Sequence, residues 1–179
     1  MRLIYIVGQP GTGKSTLMNR IMEELEGSGG IYRIQTLYYH EFLESETIVL
    51  GRYDLEGFTG TDKLSMSVQP VAEKVMEKWS KEKKDWTVLA EGDRLANISF
   101  LQKMKDLGID LRLFLLETSD EIRESRHRKR GDTQTATWLK GRETKCARIK
   151  MHFAEIVVLR NNTKQDLLNN ANTIMKEIR

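Results

Sequence analysis

The sequence predicts an α/β domain of three layers, a predominantly parallel sheet with helices on both faces. Three observations carry that expectation. Short apolar runs that read as buried strands alternate with stretches whose apolar residues recur every three or four positions. The first run, over residues 3–7, leads straight into a glycine-rich loop and then into such a stretch. The chain has 179 residues, 39% of them hydrophobic and 31% charged, which suits one domain with its own core.

Each element follows from its own pattern. Leu17, Ile21 and Leu25, with Met18 and Met22 beside them, form the buried stripe of a first helix closed by the glycines at 27, 29 and 30. Val68, Ala72, Val75 and Trp79 form a second stripe. Residues 86–90 read as a strand, Leu101, Met104 and Leu107 mark a helix, and 111–116 form another strand. Thr118, with Glu121 three residues on, predicts a capping box that opens a basic helix. A long helical pattern carries Leu139, Cys146, Ile149 and Phe153; a strand over 156–159 follows, then a last helix with Leu167, Ala171, Ile174 and Ile178. The region of about 31–67 departs from this alternation. Its β-forming runs at 31–34 and 47–50, mixed with Gly51, Gly57 and Gly60, predict a strand pair and loops inserted between the first two helices, a usual place for specificity.

Composition narrows the function. The lone Cys146 excludes a disulfide framework and a cysteine zinc site and suits a reducing compartment. No apolar run approaches the ~18–20 residues of a membrane span. Residues 1–7 begin as a signal peptide does, but Gln9 and Lys14 interrupt them too early. The expected setting is therefore the cytoplasm, the host's if the protein is viral, with no membrane partner. His40, His127 and His152 show no metal-ligand spacing. A net charge of +3 does not announce nucleic-acid binding, but residues 123–130 hold five cations against one acid and call for an anion or open solvent.

The sharpest motif is Gly8-Gln9-Pro10-Gly11-Thr12-Gly13-Lys14-Ser15, which fits Gly-x4-Gly-Lys-Ser/Thr in full between a strand and a helix. Its glycines let successive N–H groups converge on phosphate oxygens, and the helix start adds its positive dipole end. Gly8, Gly11, Thr12, Gly13, Lys14, Ser15 and Thr16 are the expected nucleotide contacts, with Lys14 on the β- and γ-phosphates and Ser15 on Mg²⁺. A nucleoside triphosphate is the expected ligand.

The fate of the γ-phosphate separates two classes. A GTPase switch would use Asp54-Leu55-Glu56-Gly57 and, for guanine, Thr163-Lys164-Gln165-Asp166. Only 13 residues follow Asp166, however, and they carry a helical stripe that takes in Lys164. A kinase would use Glu91-Gly92-Asp93-Arg94, which ends a strand beside the phosphate loop, where an acid handles Mg²⁺ or an acceptor proton. Asp93 is the second expected metal acid after the Ser15 hydroxyl. Arg123, Arg126 and Arg130 share one helical face, and Gly131-Asp132-Thr133 breaks the helix as the hinge of a closing lid, over about 119–135, would.

With these motifs in order, the chain resembles the P-loop nucleoside and nucleotide kinase superfamily, which includes thymidylate kinase, adenylate kinase and deoxynucleoside kinases. The resemblance covers nearly the whole chain: phosphate loop, acceptor region, Glu91-Gly92-x-Arg94, arginine lid and closing helix. It implies a P-loop NTPase fold with Mg-ATP as donor, an acid-plus-arginine element at Glu91 and Arg94, and lid arginines at Arg126 and Arg130. The acceptor region departs from the thymidylate and adenylate patterns.

A hydroxyl acceptor needs a base, and either Glu91 or Asp54 would serve. Arg52, Asp54, Asp62, Gln69 and Arg94 are the expected acceptor-binding groups, with Tyr38, Tyr39, Tyr53 and Phe58 able to stack on a base. Trp138 and Arg142 lie four apart on the long helix, where Arg142 either points inward or snorkels. The expected reaction is γ-phosphoryl transfer from ATP to a nucleoside, a nucleotide or a modified nucleobase. The segment also resembles small bacteriophage-type kinases, some of which phosphorylate 5-hydroxymethyluracil within DNA. That resemblance makes DNA an alternative acceptor, with Lys81, Lys83 and Lys84 tracking its backbone.

Overall fold

Among the described residues, seven strands, all in one sheet, are interspersed with six α-helices. The computed structural model describes residues 1–27, 29–53, 59–131 and 133–178, and of Arg130 the backbone alone. Strand β1 (Arg2–Val7) runs into helix α1 (Lys14–Glu24). Strands β2 (Gly30–Ile34), β3 (Leu37–Phe42) and β4 (Thr47–Leu50) follow, then α2 (Gln69–Glu82), β5 (Thr87–Glu91) and α3 (Ile98–Asp106). The chain continues through β6 (Asp110–Glu117), α4 (Asp120–Arg130), α5 (Ala136–His152), β7 (Val157–Arg160) and α6 (Lys164–Met175).

The sheet order is β2-β3-β4-β5-β1-β6-β7. From β4 to β7 neighbouring strands are parallel, and β2 and β3 extend the edge antiparallel. Strand β1 is buried on both faces, and its alternation splits the core in two. Leu3, Tyr5 and Val7 pack with Ala72 and Trp79 of α2, Phe100 and Met104 of α3, and Ile149 of α5. Ile4 and Ile6 pack with Leu17 and Ile21 of α1 and Ala171 and Ile174 of α6. The three expected layers are present.

Three details differ from the sequence reading. The 31–67 insertion holds three strands rather than two, and the last of them, β4, lies within the central sheet parallel to β5. Strand β3 shows no clean alternation, because its buried positions are Leu37, His40 and Phe42. Thr118 caps nothing: Ser119 precedes α4, and the Thr118 hydroxyl donates to the carbonyls of Thr12 (3.3 Å) and Asn161 (3.1 Å). Basic Arg2 has a structural task, pairing at 2.8 Å with Asp110, whose carboxyl burial raises and Arg2 more than lowers back. Among the described residues no helix is long and apolar enough to cross a membrane.

Topology places the site. Strand β1 hydrogen-bonds to β5 on one side and β6 on the other, so chain crossings diverge there and leave a crevice at the carboxyl ends. Ile6 sits in register with Glu91, so the loop after β1 and the acid ending β5 emerge side by side. Replacing the fully buried Phe100 by alanine is expected to cost roughly 3–5 kcal/mol. Leu43→Ala, at a side chain 65% exposed, should stay within about 0.5 kcal/mol of the parent. Urea unfolding of the two variants checks the assignment of the core.

Candidate functional site

The loop between β1 and α1 is shaped for close approach. Gly13 precedes α1 in the left-handed region at φ 92°, and a Cβ there would lie 2.6 Å from Asn161 Nδ2. The Asn161 amide, 2% exposed, donates to the carbonyl of Thr12 at 2.7 Å and ties the loop to the end of β7. Lys14 arches back, its ammonium donating to the carbonyls of Gly8 (2.9 Å) and Gln9 (3.0 Å). The Thr12 hydroxyl donates to the Gln9 carbonyl at 2.9 Å. The β1 loop, the carboxyl end of β5 and the inner face of α5 enclose a cavity of about 690 Å³, whose walls include Lys14, Ser15, Asp62, Glu91, Arg94 and Arg142.

Glu91 lies at the centre, 1% exposed. Its Oε1 accepts the Ser15 hydroxyl at 3.2 Å and the Tyr53 hydroxyl at 3.2 Å. Burial pushes the carboxyl up to about 7 against the opposing pull of Lys14. The short turn Thr61–Lys63 lies on the same strand end: Thr61 Oγ1 donates to the Glu91 carbonyl at 2.8 Å, and the Asp93 amide donates to Asp62 Oδ1 at 2.6 Å. Gly92, at φ 103°, admits that turn, since a Cβ there would meet Thr61 Oγ1 at 2.7 Å. Burial raises the Asp62 carboxyl above its ordinary value, while Lys14, Arg94 and Lys145 draw it down.

The far wall is cationic. Asp93 receives Arg142 and also Lys145, whose ammonium lies 2.9 Å from the carboxylate and 2.7 Å from the Asp93 carbonyl. Asp93 is therefore taken up by two cations of α5. The acid that the Ser15 hydroxyl faces is Glu91, while Asp93, the expected metal acid, lines the same cavity. Burial, reinforced by Arg142, pushes Lys145 down to about 8. Arg142 points inward, its guanidinium 5.2 Å from the Trp138 ring centre. Arg94 donates to the Asp62 carbonyl at 3.3 Å and meets the sulfur of Met66, and the Nε atoms of Arg94 and Arg142 are buried without an acceptor.

Helix α4 lies over the other side of the loop. Arg126 donates to the carbonyls of Gly11 (3.2 Å) and Asn161 (3.0 Å), Arg123 reaches Gln9, and His127 Nε2 is 3.2 Å from the Pro10 carbonyl. Arg128 is turned away toward Glu124. Beside Arg126, a second hollow of about 440 Å³ is lined by Gly11, Gly13, Asn161, Lys164 and Leu167.

Other expected residues stand elsewhere. Arg52 lies 4.8 Å over the Tyr38 ring, and Gln69 bridges Glu73 and Asn97 with both ends of its amide, so neither lines the cavity. Asp54 and Phe58 fall outside the described residues, as does the side chain of Arg130. Tyr39 packs edge-on against Trp79, and Tyr53 holds Glu91 rather than stacking on a ligand. Lys83 pairs with Glu41 at 2.6 Å and Lys81 with Glu77 at 3.1 Å, so both have acids at hand. Thr163 and Asp166 form the capping box of α6, which accounts for the match to a guanine-reading motif. Sequence reasoning overlooked Lys145 and Asn161 as site residues and gave Tyr53 a stacking role in place of its contact with Glu91. Lys145 carried a signal, since Trp138, Arg142 and Lys145 are spaced four and three on one helical face.

The chain belongs to the P-loop Nucleotide Kinase3 family, whose model matches residues 1–162, and it is a kinase. Among solved structures it is similar to a sugar kinase from Janibacter sp. HTCC2649, at 14% identity and TM-score 0.52, over 98% of this chain and 95% of that one. It is similar also to a gluconokinase from Sinorhizobium meliloti 1021, at 12% identity and TM-score 0.52, over 99% of this chain and 98% of that one. At such identities the likeness is one of fold. No curated protein matches the chain.

The Glu91 environment leads to a pH test in metal-free solution. Its folded-state value lies above the ordinary 4.5, so the protonated form is the one the fold favours. The associated stability is complete below about 4.5 and is lost as pH rises through about 7, an effect of the order of 3 kcal/mol. Glu91→Gln keeps an acceptor oxygen for Ser15 and Tyr53 and removes the titration. The gap between variant and parent in urea unfolding should therefore widen in the variant's favour across that window, and a constant gap would refute the assignment.

Proposed function

We propose that this kinase transfers the γ-phosphoryl group of ATP to a nucleoside-like acceptor, a nucleoside, nucleotide or modified nucleobase, held in the 690 Å³ cavity. One observation carries the reading. The phosphate loop and the buried carboxylate of Glu91 open into one enclosed space, with the Ser15 hydroxyl at their junction. Its size falls within the range of small-molecule sites, roughly 300–1,000 Å³.

The roles follow from position. The amides of Gly11, Gly13, Lys14, Ser15 and Thr16 take the triphosphate at the start of α1, where the helix dipole favours an anion. Lys14, now on the carbonyls of Gly8 and Gln9, exchanges those weak acceptors for phosphate oxygens. Ser15 Oγ and Glu91 lie 3.2 Å apart and present the hard oxygen groups that Mg²⁺ prefers. When bound there, Mg²⁺ would neutralise the charge that develops during transfer. The smaller hollow beside Arg126 suits the donor's base and ribose. Arg126 exchanges its carbonyl partners for the γ-phosphate, with α4 acting as the lid and Gly131, left-handed at φ 64°, as its pivot. Closure excludes water, which would otherwise take the phosphoryl group.

Lys14→Ala should abolish transfer while leaving the thermal unfolding profile close to the parent's. Near-normal turnover would overturn the loop assignment. Arg126→Ala should lower kcat by roughly 10²–10³, as removal of a donor to a developing oxyanion does. ATP should out-compete GTP, and labelled γ-phosphate should appear in an acceptor. Hydrolysis of GTP without an acceptor would point to a switch instead.

A further inference from the structure

The two walls of the cavity make unlike demands on the acceptor. Beside the phosphate loop stand the buried carboxyl of Glu91 and the half-buried one of Asp62. An acceptor phosphate needs no base, and it would meet the Asp62 carboxylate at the point of transfer, a repulsion that grows in a low-dielectric site. A hydroxyl needs a base within hydrogen-bond reach. Glu91 already receives Ser15 and Tyr53 and so faces the donor side. Asp62 receives the Asp93 amide on Oδ1, a backbone hydrogen bond from Arg94 also reaches its carboxyl, and the side chain lines the cavity.

The opposite wall has no use for a neutral alcohol. Arg142 and Lys145 share the single carboxylate of Asp93, which leaves one positive charge in excess, and Arg94 adds another beside them. Trp138 backs the Arg142 guanidinium at 5.2 Å and holds its plane. Such a fork takes a planar or tetrahedral oxyanion. Asp93 joins the two demands: its amide holds Asp62, and its side chain holds Arg142 and Lys145. Proton acceptor and cationic pair are thereby fixed one residue apart.

We propose that the acceptor is an alcohol that also carries an anionic group, with Asp62 taking the hydroxyl proton while Arg142 and Lys145 hold the anion. The inference rests on the γ-phosphoryl transfer read above and defines the acceptor by its hydroxyl and its charge rather than by a base. In the step, the acceptor oxygen forms a bond to the γ-phosphorus as the bond from that phosphorus to the β–γ bridging oxygen breaks. ADP leaves with the electron pair, and the hydroxyl proton passes to the second oxygen of Asp62 and then to solvent. A nucleotide with a free hydroxyl supplies such an anion as phosphate, and a sugar acid supplies it as carboxylate.

The test presents the full chain, with ATP and Mg²⁺, with two matched pairs: a nucleoside against its 5′-monophosphate, and a neutral sugar against its aldonic acid. Phosphorus NMR identifies the product. The expected product is a phosphate monoester without phosphorus–phosphorus coupling, formed from the anionic member of a pair, and the pair that reacts identifies the source of the anion. Arg142→Ala and Lys145→Ala, each of which leaves Asp93 one cation, should raise KM for that acceptor by about 10–10² with little change in kcat. Asp62→Asn should lower kcat by about 10²–10⁴ with ATP affinity unchanged. A phosphoanhydride product, equal use of neutral and anionic members, or near-normal turnover of Asp62→Asn overturns the proposal.

If none of the four compounds reacts, Cys146, which lines the same cavity, gives a second measurement. With the loop filled by a non-hydrolysable ATP analogue, inorganic phosphate should slow alkylation of Cys146 in the parent and several-fold less in Arg142→Ala. Equal alkylation with and without phosphate overturns the proposal. Failure of the kinase reading would appear separately, as ATP binding indifferent to Lys14→Ala.

Discussion

A carboxylate buried at the carboxyl end of a parallel strand is the constraint around which the site is arranged. Glu91 is 1% exposed, and burial of a charge is costly unless it is paired or hydrogen-bonded. The fold answers with two hydroxyls, from Ser15 and Tyr53, and with Lys14 nearby. Lys14 and Ser15 come from the start of α1, where the phosphate loop ends, and Tyr53 comes from the segment after β4. The register between Ile6 and Glu91 makes that convergence geometric. A slip of one residue in β1 would turn its side chains to the other face, exchange the two halves of the core and carry the loop away from the acid.

Charge is distributed by side around that centre. Cations of α4 approach the phosphate loop from one flank, and those of α5 line the larger cavity. Asp62, Glu91 and Asp93 stand between the two helices' charges. Without the three acids, Lys14, Arg94, Arg142 and Lys145 would repel one another in a partly dry space. Lys145 registers that crowding directly, since burial together with Arg142 pushes it down to about 8.

Legibility in the sequence followed locality. The phosphate loop is eight consecutive residues whose spacing is itself the chemistry, so it could be read without a fold. Glu91 was accessible one step further on, because it ends an apolar run and strand ends in such sheets face ligands. Strand β3 was not legible, since buried His40 breaks the alternation that would have marked it. The ion pairs of Asp93 were not legible for a related reason. Its partners Arg142 and Lys145 are 49 and 52 residues away, and only the packing of α5 over the strand ends reveals that its carboxylate is already engaged. Tyr53 and Asn161 act through single contacts with distant backbone or side chain, which leave no trace in periodicity or composition.

The same locality explains why α4 suits movement while its neighbours do not. None of its described side chains is buried, whereas α1, α2, α3 and α6 each drive an apolar stripe into the core. What holds α4 down is polar: Arg126 on two carbonyls, Arg123 on Gln9, His127 on Pro10. Hydrogen bonds of this kind contribute little net free energy, because water replaces them when they open. A phosphate oxygen is a stronger acceptor for a guanidinium than a carbonyl is. Under the proposed function, a helix that surrenders little apolar area on lifting, and gains charged partners when a triphosphate arrives, would open and close at small cost. An apolar stripe on α4 would have fastened it to the sheet and closed the donor flank for good.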